Sequence, residues 1–476
     1  VHEGGMEEDR VEWKSAGELA RIIRSGEAKS REVLELLLRR VDALNGTLRA
    51  VVVVDKERAR RLADEADRRI ARGADIRPLE GVPITVKENC AVGGMICSHG
   101  DPQHRHRMAP VSEALVQRLE AAGCIIYGKT NLPINANDIQ TYNKVYGSSS
   151  NPWNLSRTPG GSSGGGAAAV AVGFTPIELG GDVGGSIRTP AAFCGIYGHK
   201  PTYGIMEKRG PFLERRPREI SVRGTMARCV EDLELLAELL AGVGGIDARG
   251  LRLDLPRPTK RRLAEYKVAV WATDENAPVH YELVDAAGRV ARVLEERGAV
   301  VSRTARPALD TKVNLDTYLG LVAFNDALAR APGERADVTL PGYRHATEER
   351  ELVREAWEAF FGEWDVLIVP SHPTPAFPKD ETMPIDARKI EVETAPGQFV
   401  RYGYWRALFW AMLTNVGLLP SITFPAGTGP ATGLPLGLNV VGREYSDLDC
   451  LNVARLLRAE CGFAFQPPPH PYGPRT

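Results

Sequence analysis

The chain lacks a charge excess of either sign. Its 60 Lys and Arg residues stand against 61 Asp and Glu, a formal net charge of −1. That balance excludes the dense basic footprint of a nucleic-acid or anionic-membrane binder, so no nucleic-acid partner is expected. It also lacks any run of about 18 apolar residues, so no membrane span is expected. The opening Val1-His2-Glu3-Gly4-Gly5-Met6 holds no apolar segment of the signal-peptide type. Cysteine is sparse. Seven residues at 90, 97, 124, 194, 229, 450 and 461 are odd in number, widely spaced and without a CxxC pair. This argues against a disulfide framework and against a zinc site, and for a reducing, cytoplasmic setting. The close pair in His104-Arg105-His106 has no further ligands beside it and reads as a solvated loop. No metal and no cofactor is expected.

What is present is ordinary for a globular protein: 476 residues, 43% hydrophobic and 25% charged. A chain of this length buries enough surface to fold without disulfide or metal support. Ser15 with Glu18 forms a capping-box pattern ahead of Leu19, Ile22 and Ile23. A second helix begins near Ser30 with Val33, Leu36, Leu37, Val41 and Leu44 on one face, and a third carries Ala59, Leu62, Ala66 and Ile70. Val51–Val54 reads as a strand between them. From Gly81 to about Pro201, strand-like runs (Val82–Val86, Cys124–Tyr127, Ile177–Leu179) alternate with glycine-rich turns. Leu251–Arg262 reads as a surface linker. A strand at Tyr266–Trp271, a helix from Glu282 to Arg297 and a strand at Ala299–Ser302 make a βαβ unit, which points to a parallel or mixed sheet. Residues 310–365 are mostly helical by pattern, Asp365–Pro370 is a strand, and a looped stretch runs to about 398. A helical segment around Tyr404–Asn415, strands at Ser421–Phe424 and Gly437–Val441, and a helix from Ser446 to Glu460 close the chain.

Two glycine–serine loops carry the chemistry. The first is Thr158-Pro159-Gly160-Gly161-Ser162-Ser163-Gly164-Gly165-Gly166. The second, Gly180-Gly181-Asp182-Val183-Gly184-Gly185-Ser186-Ile187-Arg188, places Ser186 24 positions after Ser162. A serine hydroxyl needs a neighbouring base to become a nucleophile, and N–H donors for the oxyanion that its attack creates. Loops of small residues supply both closeness and successive N–H groups. Other readings stay open on the residues alone. Gly160–Gly164 fits a G-x-S-x-G nucleophile elbow, with His372 or His470 as the downstream base. Gly164–Ala169 fits a loose dinucleotide fingerprint, without the acidic residue about 20 positions on. A P-loop is excluded because no GK[ST] follows. The glycines could also be purely structural.

With these loops, the sequence resembles the amidase signature family. Gly81-Val82-Pro83-Ile84-Thr85-Val86-Lys87-Glu88-Asn89 looks like its lysine motif, and the two serine loops look like its signature. Gly128-Lys129-Thr130-Asn131, Asn151-Pro152-Trp153, Gly198-His199-Lys200-Pro201-Thr202 and Gly433-Leu434-Pro435-Leu436-Gly437 also fit. The resemblance runs from about 15 to 465. It implies Ser186 as the acylated nucleophile, Ser162 as a bridging serine after a cis peptide bond, and Lys87 as the base. It implies Val183, Gly184, Gly185 and Ser186 N–H groups at the oxyanion, Ala136 with its carbonyl facing the nucleophile, Ser163 as a supporting serine, and Asp182 with Arg188 as a loop brace. Three positions depart from the family pattern: Gly181 in place of Thr or Ser, Glu88 in place of Asp, and Val183 where Thr is frequent.

The fold so implied is one large α/β/α sandwich around a mixed, twisted sheet. The whole chain is taken as one domain, with an N-terminal helical part at 15–75, a catalytic core at 81–202 and an insertion at 310–400 beside the substrate mouth. The implied activity is hydrolysis of an amide or related C–N bond, urethanes included, in a small-molecule substrate. Pocket loops at 90–100, 134–142, 310–350 and 371–400 contribute Met95, Ile134, Ile139, Tyr142, Tyr318 and Phe324, which favours a neutral apolar or aryl acyl group. Cys90 and Cys97 read as small pocket or core residues, and His372 as a candidate pocket residue. A homodimer is compatible with the sequence. Two rival readings are a glutaminase subunit of a tRNA-dependent amidotransferase and a non-catalytic nucleotide-binding module.

Overall fold

A computed structural model describes residues 8–73, 75–212, 219–328 and 338–474. The N-terminal stretch read for a signal peptide, Val1–Met6, lies outside these residues, as does the part of the expected insertion at 329–337. The strands are β1 (Val51–Val54), β2 (Pro83–Lys87), β3 (Ile125–Thr130), β4 (Tyr142–Asn143), β5 (Gly147–Ser148), β6 (Ile177–Asp182), β7 (Tyr197–Lys200) and β8 (Val222–Ala227). They continue with β9 (Lys267–Val270), β10 (Val300–Ser302), β11 (Val366–Pro370), β12 (Lys389–Ala395), β13 (Gln398–Gly403), β14 (Ser421–Thr428) and β15 (Pro435–Gly442).

Eleven strands form one sheet in the order β1-β3-β2-β6-β8-β7-β14-β15-β11-β9-β10. Two stretches are parallel, β3-β2-β6 and β11-β9-β10, while the edge strand β1 pairs antiparallel with β3. The centre from β6 through β8, β7, β14 and β15 to β11 is antiparallel. The sheet is therefore mixed, as the βαβ spacing suggested.

Alternation along the strands makes the sandwich. Ile125 and Tyr127 join one buried cluster with the Ala167–Val172 run, whereas Ile126 between them joins the other. Successive strand side chains point to opposite faces, so one strand feeds two cores and helices cover both sides. The first helix, Ala16–Ser25, starts where its capping box predicts: Glu18 N–H donates to Ser15 Oγ at 3.0 Å and Ser15 N–H to Glu18 Oε2 at 2.7 Å. Its N–H groups at Ala16 and Gly17 also donate to the Asp232 carboxylate, at 2.8 and 3.1 Å. This ties the N-terminal helices to the helix Val230–Leu240.

The stretch read as loop to about 398 contains a hairpin of β12 and β13, turned at Gly397 with φ +76°. Its signal was present, because Ile390 and Val392 are buried while Lys389 and Glu391 face out. The charged partners masked the short alternation. Helices Thr311–Leu328 and Leu340–Glu363 fill much of 310–365 as expected. Among the described residues no helix is long and apolar enough to cross a membrane.

Candidate active site

Strands β2 and β6 are parallel neighbours, so their C-terminal ends share one edge of the sheet. Lys87 ends β2 and Asp182 ends β6. A crevice beyond the C-terminal ends of parallel strands is the usual place for a ligand in an α/β sheet. Here the chain adds the first serine loop from the side. Lys87 Nζ donates to Ser162 Oγ at 2.6 Å and to Ser163 Oγ at 2.9 Å. The peptide bond Gly161–Ser162 is cis. Ser163 N–H donates to the Ser186 carbonyl at 3.2 Å and so joins the two loops.

Lys87 is 1% exposed. Burial, reinforced by the positive charge of Arg223, pushes its ammonium down to about 7. A buried amine near neutrality can accept a proton at physiological pH, which a surface lysine cannot.

The second loop is built on an ion pair with no exposure at either partner. Arg188 donates through Nε to Asp182 Oδ2 at 3.0 Å and through Nη2 to Oδ1 at 2.8 Å. The same carboxylate accepts the N–H of Gly185 at 2.9 Å and of Ile187 at 3.1 Å. Burial works to raise the Asp182 pKa, but Arg188 and these donors hold it well below the usual carboxylate range. The Gly185 N–H, expected at the oxyanion, is thus spent on the brace. Among the described residues, the N–H groups of Val183, Gly184 and Ser186 make no hydrogen bond.

A cavity of about 480 Å³ opens on Lys87, Ser162, Asp182, Val183, Ser186 and Ala136. Ala136 and its neighbour Asn135 both adopt left-handed backbone, φ +60° and +51°. Two adjacent non-glycine residues in that region mark a loop held by its surroundings, a feature that clusters at working sites. The holding groups are Arg388, which donates to Asp138 Oδ2 at 2.7 Å, and the Tyr404 hydroxyl, which donates to Asp138 Oδ1 at 2.6 Å. Glu88 supports the neighbouring loop, accepting Ser98 N–H at 2.5 Å and His99 N–H at 2.8 Å, and the His99 carbonyl in turn accepts Asn135 N–H at 2.8 Å.

The walls differ from the apolar set expected. Val322 and Asn325 come from the expected insertion, but Met95, Ile139, Tyr142 and Phe324 are engaged elsewhere. Met95 and Ile139 are core residues, Tyr142 OH accepts from Arg388 at 2.5 Å, and Phe324 stacks on Tyr343 at 3.7 Å between ring centroids. Ile134 is 46% exposed. Tyr318 covers Gly184, where a methyl group would come 2.3 Å from its hydroxyl oxygen. Asn89, His99, Lys208, Phe212, Ser221 and Arg223 line the cavity instead. The sequence reading assigns none of these six to the pocket by type, although His99 lies in its 90–100 loop and Asn89 in the lysine motif. His99 is a neutral imidazole, since burial pushes it down to about 3.

The competing readings lose their residues here. His372 is 2% exposed and lies away from the cavity, its ring packed on Phe193 at 4.9 Å and Phe377 at 5.8 Å. His470 is exposed. The partner of Ser162 is the Lys87 amine, so the elbow reading lacks the histidine it needs. The glycines of the nucleotide fingerprint are buried in the helix Gly164–Ala171. A methyl group at Gly165 would sit 2.4 Å from Asn131 N, and one at Gly166 2.6 Å from Glu178 Cγ. They allow helix and strand to touch and leave no room for a phosphate. Cys90 and Cys97 are buried with thiol pKa values raised by burial, as inert small residues. Among the described residues no His, Cys, Asp and Glu group could hold a metal.

Comparison with known proteins places the chain in a family. The Amidase family profile matches residues 32–340 and 332–451. A glutamyl-tRNA(Gln) amidotransferase subunit of Roseiflexus sp. (strain RS-1) is 32% identical, covering 90% of this chain and 92% of that protein. Its namesake from Geobacillus thermodenitrificans (strain NG80-2) is 29% identical over 95% of this chain and 98% of its own. Among solved structures, a bacterial aryl acylamidase of the amidase signature family superposes with TM-score 0.80 at 27% identity, covering 95% of this chain and 97% of that one. A protein from a vestigial complex linked to the origins of an s-triazine catabolic enzyme gives TM-score 0.80 at 28% identity, covering 95% and 99%. With the family profile spanning most of its length, the chain belongs to the amidase family, hydrolases of carbon–nitrogen bonds.

Proposed function

We propose that the chain hydrolyses a carboxamide, or a related anilide or carbamate, in a small molecule through a seryl acyl-enzyme. The observation that carries this reading is the 2.6 Å contact from Lys87 Nζ to Ser162 Oγ, between two side chains that are each 1% exposed. Neutral Lys87 takes the proton of Ser162, and Ser162 takes the proton of Ser186. The Ser186 oxygen adds to the carbonyl carbon. The N–H groups of Val183, Gly184 and Ser186 are assigned to the oxyanion, while Gly185 is assigned to the Asp182–Arg188 brace. The proton returns through Ser162 to the leaving nitrogen, the C–N bond breaks, and water cleaves the ester by the same relay. Ser163 positions Lys87, and Ala136 borders the acyl carbon.

The expectation of a single domain becomes part of this reading, since one sheet collects strands from Val51 to Gly442. So does a reducing, cytoplasmic setting, since all seven cysteines are free.

The similarity to amidotransferase subunits supports a second reading, in which the same site releases ammonia from an amide for a partner chain. Intact mass after fluorophosphonate treatment tests the shared chemistry. One adduct is expected in the wild type and none in Ser186→Ala. An adduct that persists in Ser186→Ala and disappears in Ser162→Ala would overturn the assignment. Native purification separates the two readings: turnover of simple amides by the isolated chain supports the first, and turnover that requires co-purifying chains supports the second.

A further inference from the structure

The loop that brings Ala136 to the cavity also touches the first serine loop. Asn135 and Ala136 line the cavity, and the backbone just beyond them, at 138–141, packs against 160–164. A methyl group at Gly161 would sit 2.6 Å from both Gln140 N and Gln140 O, and 2.7 Å from the Asp138 carbonyl oxygen. Thr141 Oγ1 donates to the Gly160 carbonyl at 2.8 Å and accepts the Gly164 N–H at 3.1 Å. These contacts fall on both sides of Ser162 in the chain. A shift of 138–141 therefore moves Ala136 and Ser162 together.

Asp138 anchors this backbone through a buried side chain. Its carboxylate accepts Arg388 Nη1 at 2.7 Å, the Tyr404 hydroxyl at 2.6 Å and the Gln140 N–H at 3.2 Å. Arg388 stands 250 positions away in the chain, directly after the short 3-10 helix Ile385–Ala387, and is 2% exposed. Its Nε donates to the Thr382 carbonyl at 2.7 Å and its Nη2 to the Tyr142 hydroxyl at 2.5 Å. The guanidinium carbon lies 5.4 Å from the centroid of the Tyr142 ring and 5.3 Å from that of Tyr404. Gln140 makes a second link to the same stretch: Nε2 donates to the Asp380 carbonyl at 2.7 Å, and Oε1 accepts the Asp380 N–H at 2.9 Å.

Arg388 does not line the cavity, so it acts on other residues and not on a ligand. A buried ion pair adds little net stability, because desolvation offsets the attraction, yet removing one partner leaves a buried charge that the backbone must move to relieve. Three donors in one planar fork fix the Asp138 carboxylate in place and direction. The left-handed pair Asn135–Ala136 persists only where its surroundings over-determine it, and Arg388 supplies that constraint from the far side of the loop.

We propose that Arg388 is a positioning residue for the hydrolysis. Through Asp138 it sets the backbone that carries Ala136 beside the reacting carbonyl and backs Gly161 beside Ser162. This rests on the hydrolase reading above and extends it to the stretch at 380–388, which reaches the reaction without touching substrate.

The test measures turnover of 4-nitroacetanilide, and the rate of fluorophosphonate labelling at Ser186, in Arg388→Gln, Arg388→Lys, Asp138→Asn and the double variant Arg388→Gln/Asp138→Asn. Final labelling extent counts the folded sites, and rates are expressed per labelled serine. Arg388→Gln is expected to lower kcat, or the labelling rate where the anilide is not turned over, by about 10- to 100-fold, with KM moved far less. Arg388→Lys keeps the charge but cannot reach Thr382, Asp138 and Tyr142 together, so it should recover only part. The double variant should fall within about threefold of Asp138→Asn alone, because two residues acting through one contact do not multiply their costs. Rates per labelled serine equal to the wild type's in Arg388→Gln, or in Arg388→Lys where the first does not fold, reduce Arg388 to a structural residue and overturn the proposal. Costs that multiply in the double variant overturn the route through Asp138. In each case labelling of Ser186 keeps the hydrolase reading, and failure to label Ser186 in the wild type overturns that reading and this inference together.

Discussion

The backbone N–H of Ser163 donates to the carbonyl of Ser186 over 3.2 Å, while the side chain of Ser163 accepts from Lys87 at 2.9 Å. One residue thus holds the two serine loops together and orients the amine between them. Ser163→Ala keeps the backbone bond and removes only the second acceptor. We expect kcat to fall roughly 10- to 100-fold with KM little changed, by the scale of groups that position a general base. Steady-state kinetics on an anilide would check it.

Activity should rise with pH through a midpoint near 7. Below it Lys87 is an ammonium and cannot accept a proton; above it the amine is neutral, because burial and then Arg223 push it down to about 7. The pH profile of kcat/KM reports this group in the free enzyme. Arg223→Met removes one of the two causes, so its profile should move to higher pH. Lys87→Met should cost about 100- to 10,000-fold.

Asp182→Asn should be costly to folding as well as to catalysis. Arg188 is entirely buried, and its other donors go to the Ala411 carbonyl at 3.2 Å and Thr414 Oγ1 at 2.5 Å. Loss of the carboxylate charge leaves that guanidinium uncompensated, at about 3–5 kcal/mol. Urea unfolding of the variant would measure it.

Glu178 is buried with its carboxyl between Thr85 Oγ1 and Thr130 Oγ1, both at 2.5 Å. Burial pushes it up to about 8, so the folded chain keeps a proton that the unfolded chain releases above its ordinary value of 4.5. Between about 4.5 and 8 the folded state binds more protons, and this group's contribution to stability falls as pH rises. Glu178→Gln should flatten that fall and cost little at pH 7. Glu178→Ala should cost about 2–4 kcal/mol for the cavity and the two unpaired hydroxyls. Denaturant titrations at pH 5 and 8 would distinguish them.

Gly165→Ala tests the structural role of the glycine run. With 2.4 Å to Asn131 N, the added methyl has backbone in its way, and a loss of at least about 1–3 kcal/mol is expected. A thermal melt reads it. A variant that folds normally would mean that helix and strand can separate at this point.

Much of the architecture was legible because local chemistry carried it. Ser15 and Glu18 cap a helix by their own side chains, and the Ala167–Val172 run can only be core. Strands β7 and β8 were not legible. Val222-Arg223-Gly224-Thr225-Met226-Ala227 is buried on both faces in the middle of the sheet, so it shows no polar alternation, and an arginine and a glycine inside it argue against a strand. Helix Arg188–Cys194 was hidden by Pro190, which sits in its first turn where a proline is tolerated.

The sequence by itself offered two serines in glycine loops as a nucleophile with N–H donors beside it, because these are properties of residue type and short spacing, and the resemblance of its lysine motif to the amidase signature family added Lys87 as the base. The tertiary structure alone decided their protonation and their company. Lys87 is pushed down to about 7 because sheet and loops bury it and because Arg223 lies nearby. Arg223 is in turn held by Glu113, 110 positions away in the chain. Which N–H is free and which histidine is idle depend on desolvation and on pairs distant in sequence, and neither leaves a local pattern to read.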